Sequence, residues 1–243
     1  MTALLLLAAV VFPDNGAWVA ILQRYVTPEY RVDYRALRDR DRGLLAAHIR
    51  QLAAPWPAMS EDARKAALIN AYNALTISWI VDNYPVESIW RTKKPFAEAR
   101  HVVDGKHVSL DTIETELRAM DPRIHGALVC AARSCPPLRR EPYRADAIDR
   151  QLDDNLRQWL AIPDRNRFDL ATGVASISKI FDWYERDFDR FGGVRAVLAK
   201  YGPPAAAKIT RIEYQPYHWG LNDASDLGSR YSDWQFYLDR LTR

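Results

Sequence analysis

Leu68-Ile69-Asn70-Ala71-Tyr72-Asn73-Ala74-Leu75-Thr76-Ile77 is apolar on nearly every side of a helix. A surface helix keeps a polar face, so this stretch predicts a buried central helix that reaches about Val81. Ser60 is placed to cap its start, with Glu61 and Asp62 in the first turn, where the helix dipole favours acids. Asn70 and Asn73 stand three apart on one face, and a buried amide left without partners costs ~1–3 kcal/mol. Two assignments are open for them. They tie a neighbouring loop to the core, or they orient a substrate or a catalytic imidazole.

Toward the N-terminus, Trp18, Ile21, Leu22 and Tyr25 recur at helical spacing, and Leu37, Leu44, Leu45, Ile49 and Leu52 form a second helical face. Ala54-Pro55-Trp56-Pro57 breaks that pattern before Ser60. Toward the C-terminus, Asn83-Tyr84-Pro85 ends the central helix, and His101 to Val108 predicts a hairpin turned at Asp104-Gly105. His101 and His107 are expected near opposite ends of it, as ordinary cross-strand or solvated residues. Asp111 and Glu114 read as a capping box for a helix over 112–120, stopped by Asp121-Pro122. Ile124–Val129 reads as a short core strand. A helix around Ala145–Leu160, with Ile148, Leu152, Leu156, Trp159 and Leu160 as its inner face, and a hairpin over Phe168–Ile177 follow. Ser178 is placed to cap the next helix, which Gly192-Gly193 interrupts, and Ile209–Tyr214 is the last strand. The fold class is α+β: a single globular domain over 12–222, helix-rich, with a small mainly antiparallel sheet and a buried central helix. Residues 223–243 read as a charged, aromatic-bearing tail.

At 243 residues, 48% of them hydrophobic, the chain is long enough for one substantial core. The formal charge of +3 comes from interspersed acids and bases. No nucleic-acid footprint stands out. Residues 1–11 have the apolar centre of a secretory signal without a preceding Lys or Arg or an Ala-x-Ala site, and read as a clipped or miscalled signal peptide. A short buried helix is the alternative. No other apolar run approaches the ~20 residues of a membrane span, so no integral membrane segment is expected. Oligomeric state is left open.

Arg123 to Pro137 gathers both cysteines and one histidine. Cys130 and Cys135 form a Cys-x4-Cys turn closed by Pro136-Pro137, five and ten residues after His125. The absence of a second Cys/His pair at regular spacing argues against zinc, and neither metal nor cofactor is expected. One reading makes Cys135 a nucleophile at a helix N-terminus begun by Pro136, near Arg133 and within reach of His125, with Asn70 or Asn73 orienting the imidazole. That set is analogous to papain-type and transglutaminase-type enzymes, although histidine ten residues before cysteine is not their usual layout. The other reading joins Cys130 to Cys135 as a disulfide staple in an exported protein. Tyr72, Trp183, Tyr184 and Trp219 then pack a binding cleft for a small molecule or peptide, and His125 is a satisfied core histidine.

Asn70-Ala71-Tyr72-Asn73, Val108-Ser109-Leu110-Asp111, Asp121-Pro122-Arg123-Ile124-His125, Cys130 through Leu138, Ile177 through Tyr184, and Asp187-Phe188 together resemble the bacterial and plant domain of unknown function 547 family, over about residues 18–222. The resemblance implies an exported protein, periplasmic or secreted, with a cytoplasmic location left open. It assigns no activity. Two positions depart from the family pattern: Ala131 stands where glycine is common, which suggests a backbone there free of glycine-only geometry, and His218 stands where the Tyr-Asp-Trp motif has aspartate.

Overall fold

Helix α3, Glu61–Asn83, is the buried axis of the molecule, and every side chain from Lys65 to Ile77 is buried. The computed structural model describes residues 15–204 and 206–242; the signal-like residues 1–11 lie outside these. Ser60 caps α3 as the sequence predicts, its Oγ accepting from Ala63 N at 3.2 Å. Around α3 pack α2 (Tyr34–Ala53), α4 (Leu110–Met120) and α5 (Ile148–Leu160), with α1 (Gly16–Tyr25) laid against α2. The inner faces carry the residues picked out by periodicity. Trp18, Ile21, Leu22 and Tyr25 are buried on α1, and Leu152, Leu156, Trp159 and Leu160 on α5.

Strands β1 (His101–Val103) and β2 (Lys106–Val108) form the expected hairpin, with Asp104 and Gly105 at φ of 53° and 69°. Two consecutive left-handed residues give the turn whose twist matches its strands. A second sheet joins β3 (Arg167–Asp169) antiparallel to β4 (Val174–Ile177), and β4 parallel to β5 (Arg211–Tyr214). Short helices α6 (Ile180–Trp183) and α7 (Val194–Tyr201) flank the Gly192-Gly193 break, and α8 spans Asp233–Thr242 within the stretch read as a tail. The class is α+β, with two small sheets that are mostly antiparallel.

Four local expectations are corrected. Ile124–Val129 is not a strand: Pro122–Gly126 is a 3-10 turn begun by Asp121, whose Oδ1 accepts from Arg123 N at 2.9 Å. Apolar composition cannot separate a buried strand from a buried turn, and here a capped proline starts the turn. Helix α4 is capped by Ser109, which accepts from Thr112 N at 3.0 Å, so Asp111 sits inside its first turn. No helix follows Pro136, because the chain runs on irregularly until α5 starts at Ile148. His101 and His107 pair with Val108 and Val102, so both sit at the open end of the hairpin, on opposite faces.

The two asparagines of α3 act as clamps on the backbone. Asn73 Nδ2 donates to Ala127 O at 3.0 Å while its Oδ1 accepts from Val129 N at 2.8 Å. Asn70 does the same to Tyr143, at 2.8 and 2.9 Å. Each side chain therefore replaces a two-bond strand pairing. Asn73→Ala is expected to lower unfolding free energy by ~2 kcal/mol or more in denaturant titration, since it orphans a buried N–H and C=O together. A change below ~0.5 kcal/mol, the usual effect of a surface substitution, would show that the clamp contributes nothing to stability.

Candidate functional site

The site grows from the loop that Asn73 holds. Arg123 anchors its start, with Asp121 at 2.7 Å and Asp153 at 2.8 Å. Asn155, on α5, donates from Nδ2 to Gly126 O and, at 3.1 Å, to Pro137 O. Both ends of the stretch are thus tied to one buried side chain. Its middle is stitched to the segment before α8: Arg133 N donates to Gly220 O at 2.8 Å, and Asn222 N to Ala131 O at 2.9 Å. Ala131 takes φ of +62°. This is the left-handed region that the family's glycine suits, entered here by an alanine, so the position favours glycine without being glycine-only. The turn back toward Cys135 requires it, whatever residue is present, at roughly 1–2 kcal/mol for a residue with a Cβ.

Cys130 and Cys135 lie at disulfide distance. Their surroundings differ. Cys135 is 1% exposed, and its Sγ accepts from Cys130 N at 3.1 Å, Ala132 N at 3.2 Å and Tyr217 Oη at 3.3 Å. Cys130 is half-buried, lines the cleft described below, and has its Sγ 3.2 Å from Tyr217 Oη. The donors around Cys135 are thus loop amides and a phenol in place of the expected helix N-terminus. Arg133 turns away to pair with Asp226 at 2.7 Å.

His125 is buried against Tyr184, ring centroids 4.2 Å apart, with Phe188 at 5.5 Å. Its Nε2 is 2.7 Å from Asp187 Oδ2, and Arg118 grips the same carboxylate at 2.6 and 3.0 Å. Hydrogen bonding from His125, joined by Arg118, holds the Asp187 carboxyl well below the usual range. An ionised Asp187 selects the tautomer with the proton on Nε2, which leaves the Nδ1 lone pair as the basic position. The partner of the imidazole is therefore Asp187, while Asn70 and Asn73 serve the backbone.

His125 and Cys130 both line a cleft of about 870 Å³. Tyr72, His125, Leu128, Cys130 and Tyr217 line it together with Asp111 and Glu114 of α4. Its aromatic wall holds Trp183 stacked on Trp219 at 5.8 Å and Trp90 edge-on to Trp219 at 5.4 Å. Phe236 of α8 completes that wall by stacking on Trp219 at 5.2 Å. Burial pushes the Tyr72 and Tyr217 hydroxyls up and raises the Asp111 carboxyl. Of the residues chosen from sequence, His125, Cys130, Tyr72, Trp183, Tyr184 and Trp219 face this cleft; Cys135, Asn70, Asn73 and Arg133 do not line it. Sequence reading assigned no role to Asp187 or Tyr217, although Asp187-Phe188 stood among the family-like motifs.

Residues 57–160 match the family model described as "Protein of unknown function, DUF547", in agreement with the motif resemblance over that segment. No curated protein and no solved structure matches the chain. The match includes the asparagine clamps, His125 and both cysteines, while Asp187 and Tyr217 lie beyond it.

Ala131→Gly is expected to raise thermal stability, by up to ~1 kcal/mol once the greater freedom of unfolded glycine is subtracted. For Asp187, a folded pKa below the unfolded value of about 4 means that its contribution is present above that value and is lost as pH falls through the folded pKa. Urea titrations should therefore show a stability gap between wild type and Asp187→Asn that is wide at neutral pH and narrows below about pH 4. A gap independent of pH would contradict the ionised pair.

Proposed function

With residues 57–160 placed in the DUF547 family, we propose that this chain is a thiol-dependent hydrolase or acyl transferase, with Cys130 as the nucleophile once the sulfur pair is reduced. One observation carries the reading: a buried imidazole oriented by the Asp187 carboxylate lines the same cleft as Cys130. In the proposed reaction His125 Nδ1 takes the Cys130 proton, and Asp187 stabilises the resulting imidazolium. The thiolate adds to the acyl carbonyl of a bound substrate, and the leaving group departs with the proton from His125. Water or an acceptor then cleaves the thioester, with His125 again as base. Tyr72 Oη has no hydrogen bond to another described residue and is the donor proposed for the oxyanion.

The aromatic wall suits a small molecule or a peptide side chain, and the cleft falls within the ~300–1,000 Å³ usual for ligand pockets. A pair at disulfide distance fits an exported protein, periplasmic or secreted, because such bonds persist in oxidising compartments.

A second reading has its own support in the sulfur pair: an extracytoplasmic binding module in which Cys130 and Cys135 are only a staple, contributing ~2 kcal/mol on loop-closure grounds. The two readings separate by labelling. Protein reduced under native conditions should react with an electrophilic acyl or haloacetamide probe at Cys130, faster than a free cysteine by ~tenfold or more, and His125→Ala should abolish that advantage. If labelling is no faster than free cysteine, and Cys130→Ser and Cys135→Ser lower Tm equally, the staple is the better account.

A further inference from the structure

The two sulfurs differ in ways that set the direction of their own chemistry. Cys135 Sγ is shut off from solvent, with three donors aimed at it. Cys130 is half-buried and lines the cleft, and among the described residues its Sγ has only Tyr217 Oη as a hydrogen-bond partner. Thiol–disulfide exchange proceeds by attack of a thiolate on one sulfur while the other leaves as a thiolate, and its rate rises with access to the first and with the stability of the second. Donors on a sulfur stabilise its anionic form. Access and leaving-group stability therefore select the same direction here.

We infer that the Cys130–Cys135 pair undergoes one-sided exchange: a small-molecule monothiol entering the aromatic cleft attacks Cys130 Sγ and expels Cys135 as a thiolate held by Cys130 N–H, Ala132 N–H and Tyr217 Oη–H. The lone pair of the incoming thiolate forms the new S–S bond to Cys130, and the electron pair of the broken bond departs on Cys135. A second monothiol attacks the small-molecule sulfur of the mixed disulfide, which releases Cys130 as a thiolate and carries the first thiol away as a symmetrical disulfide. Two thiols are oxidised by two electrons in total, and the protein pair is reduced by two. His125, which lines the same cleft, accepts the proton of the incoming thiol at Nδ1, the ring nitrogen not bonded to Asp187.

The size of the reductant follows from the same geometry. Cys130 lies half-buried in a cleft partly walled by Phe236 and Tyr237 of α8, a setting that a free tripeptide-sized thiol enters more readily than the folded surface of a dithiol protein. The exchange deepens the thiol-enzyme reading by supplying its activation step. Its result is read by mass, without an acyl substrate, so its failure and the failure of that reading are separate events.

The test treats the native oxidised chain with limiting glutathione, quenches in acid, alkylates under denaturing conditions and maps the peptides. Glutathione should appear on Cys130 and the alkyl group on Cys135, with a preference of ~tenfold or more over the reverse. A parallel arm with a reduced dithiol protein of thioredoxin type should be slower. Tyr217→Phe should slow the glutathione reaction about five- to tenfold, the effect of one lost hydrogen bond to a developing thiolate. Should that variant fail to fold, the mapping on wild type still decides. Glutathione on Cys135, an even split, exchange only after denaturation, or reduction by the protein dithiol alone would each overturn the inference.

Discussion

The reciprocal bonds of Asn73 to Ala127 and Val129 are the constraint on which the site depends. A helix side chain has no reason to be polar at the centre of a core unless it satisfies a segment that cannot pair with itself. Here that segment is the irregular chain between His125 and Cys130, which has no strand partner among the described residues. Asn70 and Asn155 repeat the device on Tyr143 and on the carbonyls of Gly126 and Pro137. Three buried amides thus replace a sheet in fixing this loop to α3 and α5. The loop can then carry a left-handed alanine and a tight cysteine turn without a regular element of its own.

That rigid loop is joined from the other side by parts distant in sequence. Asp187 and Tyr184 approach His125 from the segment after β4, while Tyr217 and Trp219 close over the sulfurs and the cleft from the segment after β5. The result is a cleft with an aromatic wall that His125 also lines, its ring held from behind by Asp187 and Arg118, which do not line the cleft. Helix α8 adds Phe236 to the wall, and Arg91 pairs with Asp239 at 3.2 Å to hold that helix near the 3-10 turn Ile89–Arg91.

Much of the frame was legible because its determinants are local. Asp104-Gly105 specifies its hairpin through the backbone of two residues, Ser60 caps α3 through a bond to Ala63, and the faces of α1 and α5 follow from spacing alone. The misreading of Ile124–Val129 had the opposite cause. Its apolar composition reports burial, but what replaced the strand ladder was an asparagine more than fifty residues earlier. Ser109 displaced Asp111 as the cap of α4 for a smaller reason: both residue types cap well, and a shift of two positions is within what sequence signals resolve.

By itself, the sequence determined the α+β class, the central helix, most turns, and the stretch where the cysteines and His125 concentrate, since periodicity, capping and turn chemistry act over a few residues. The tertiary structure alone decided which sulfur faces the cleft, that Asp187 and not an α3 asparagine holds the imidazole, and that Ala131 must turn left-handed. Those outcomes rest on hydrogen bonds and packing between segments tens of residues apart. No local pattern encodes which of several polar side chains will arrive at the same point in the core.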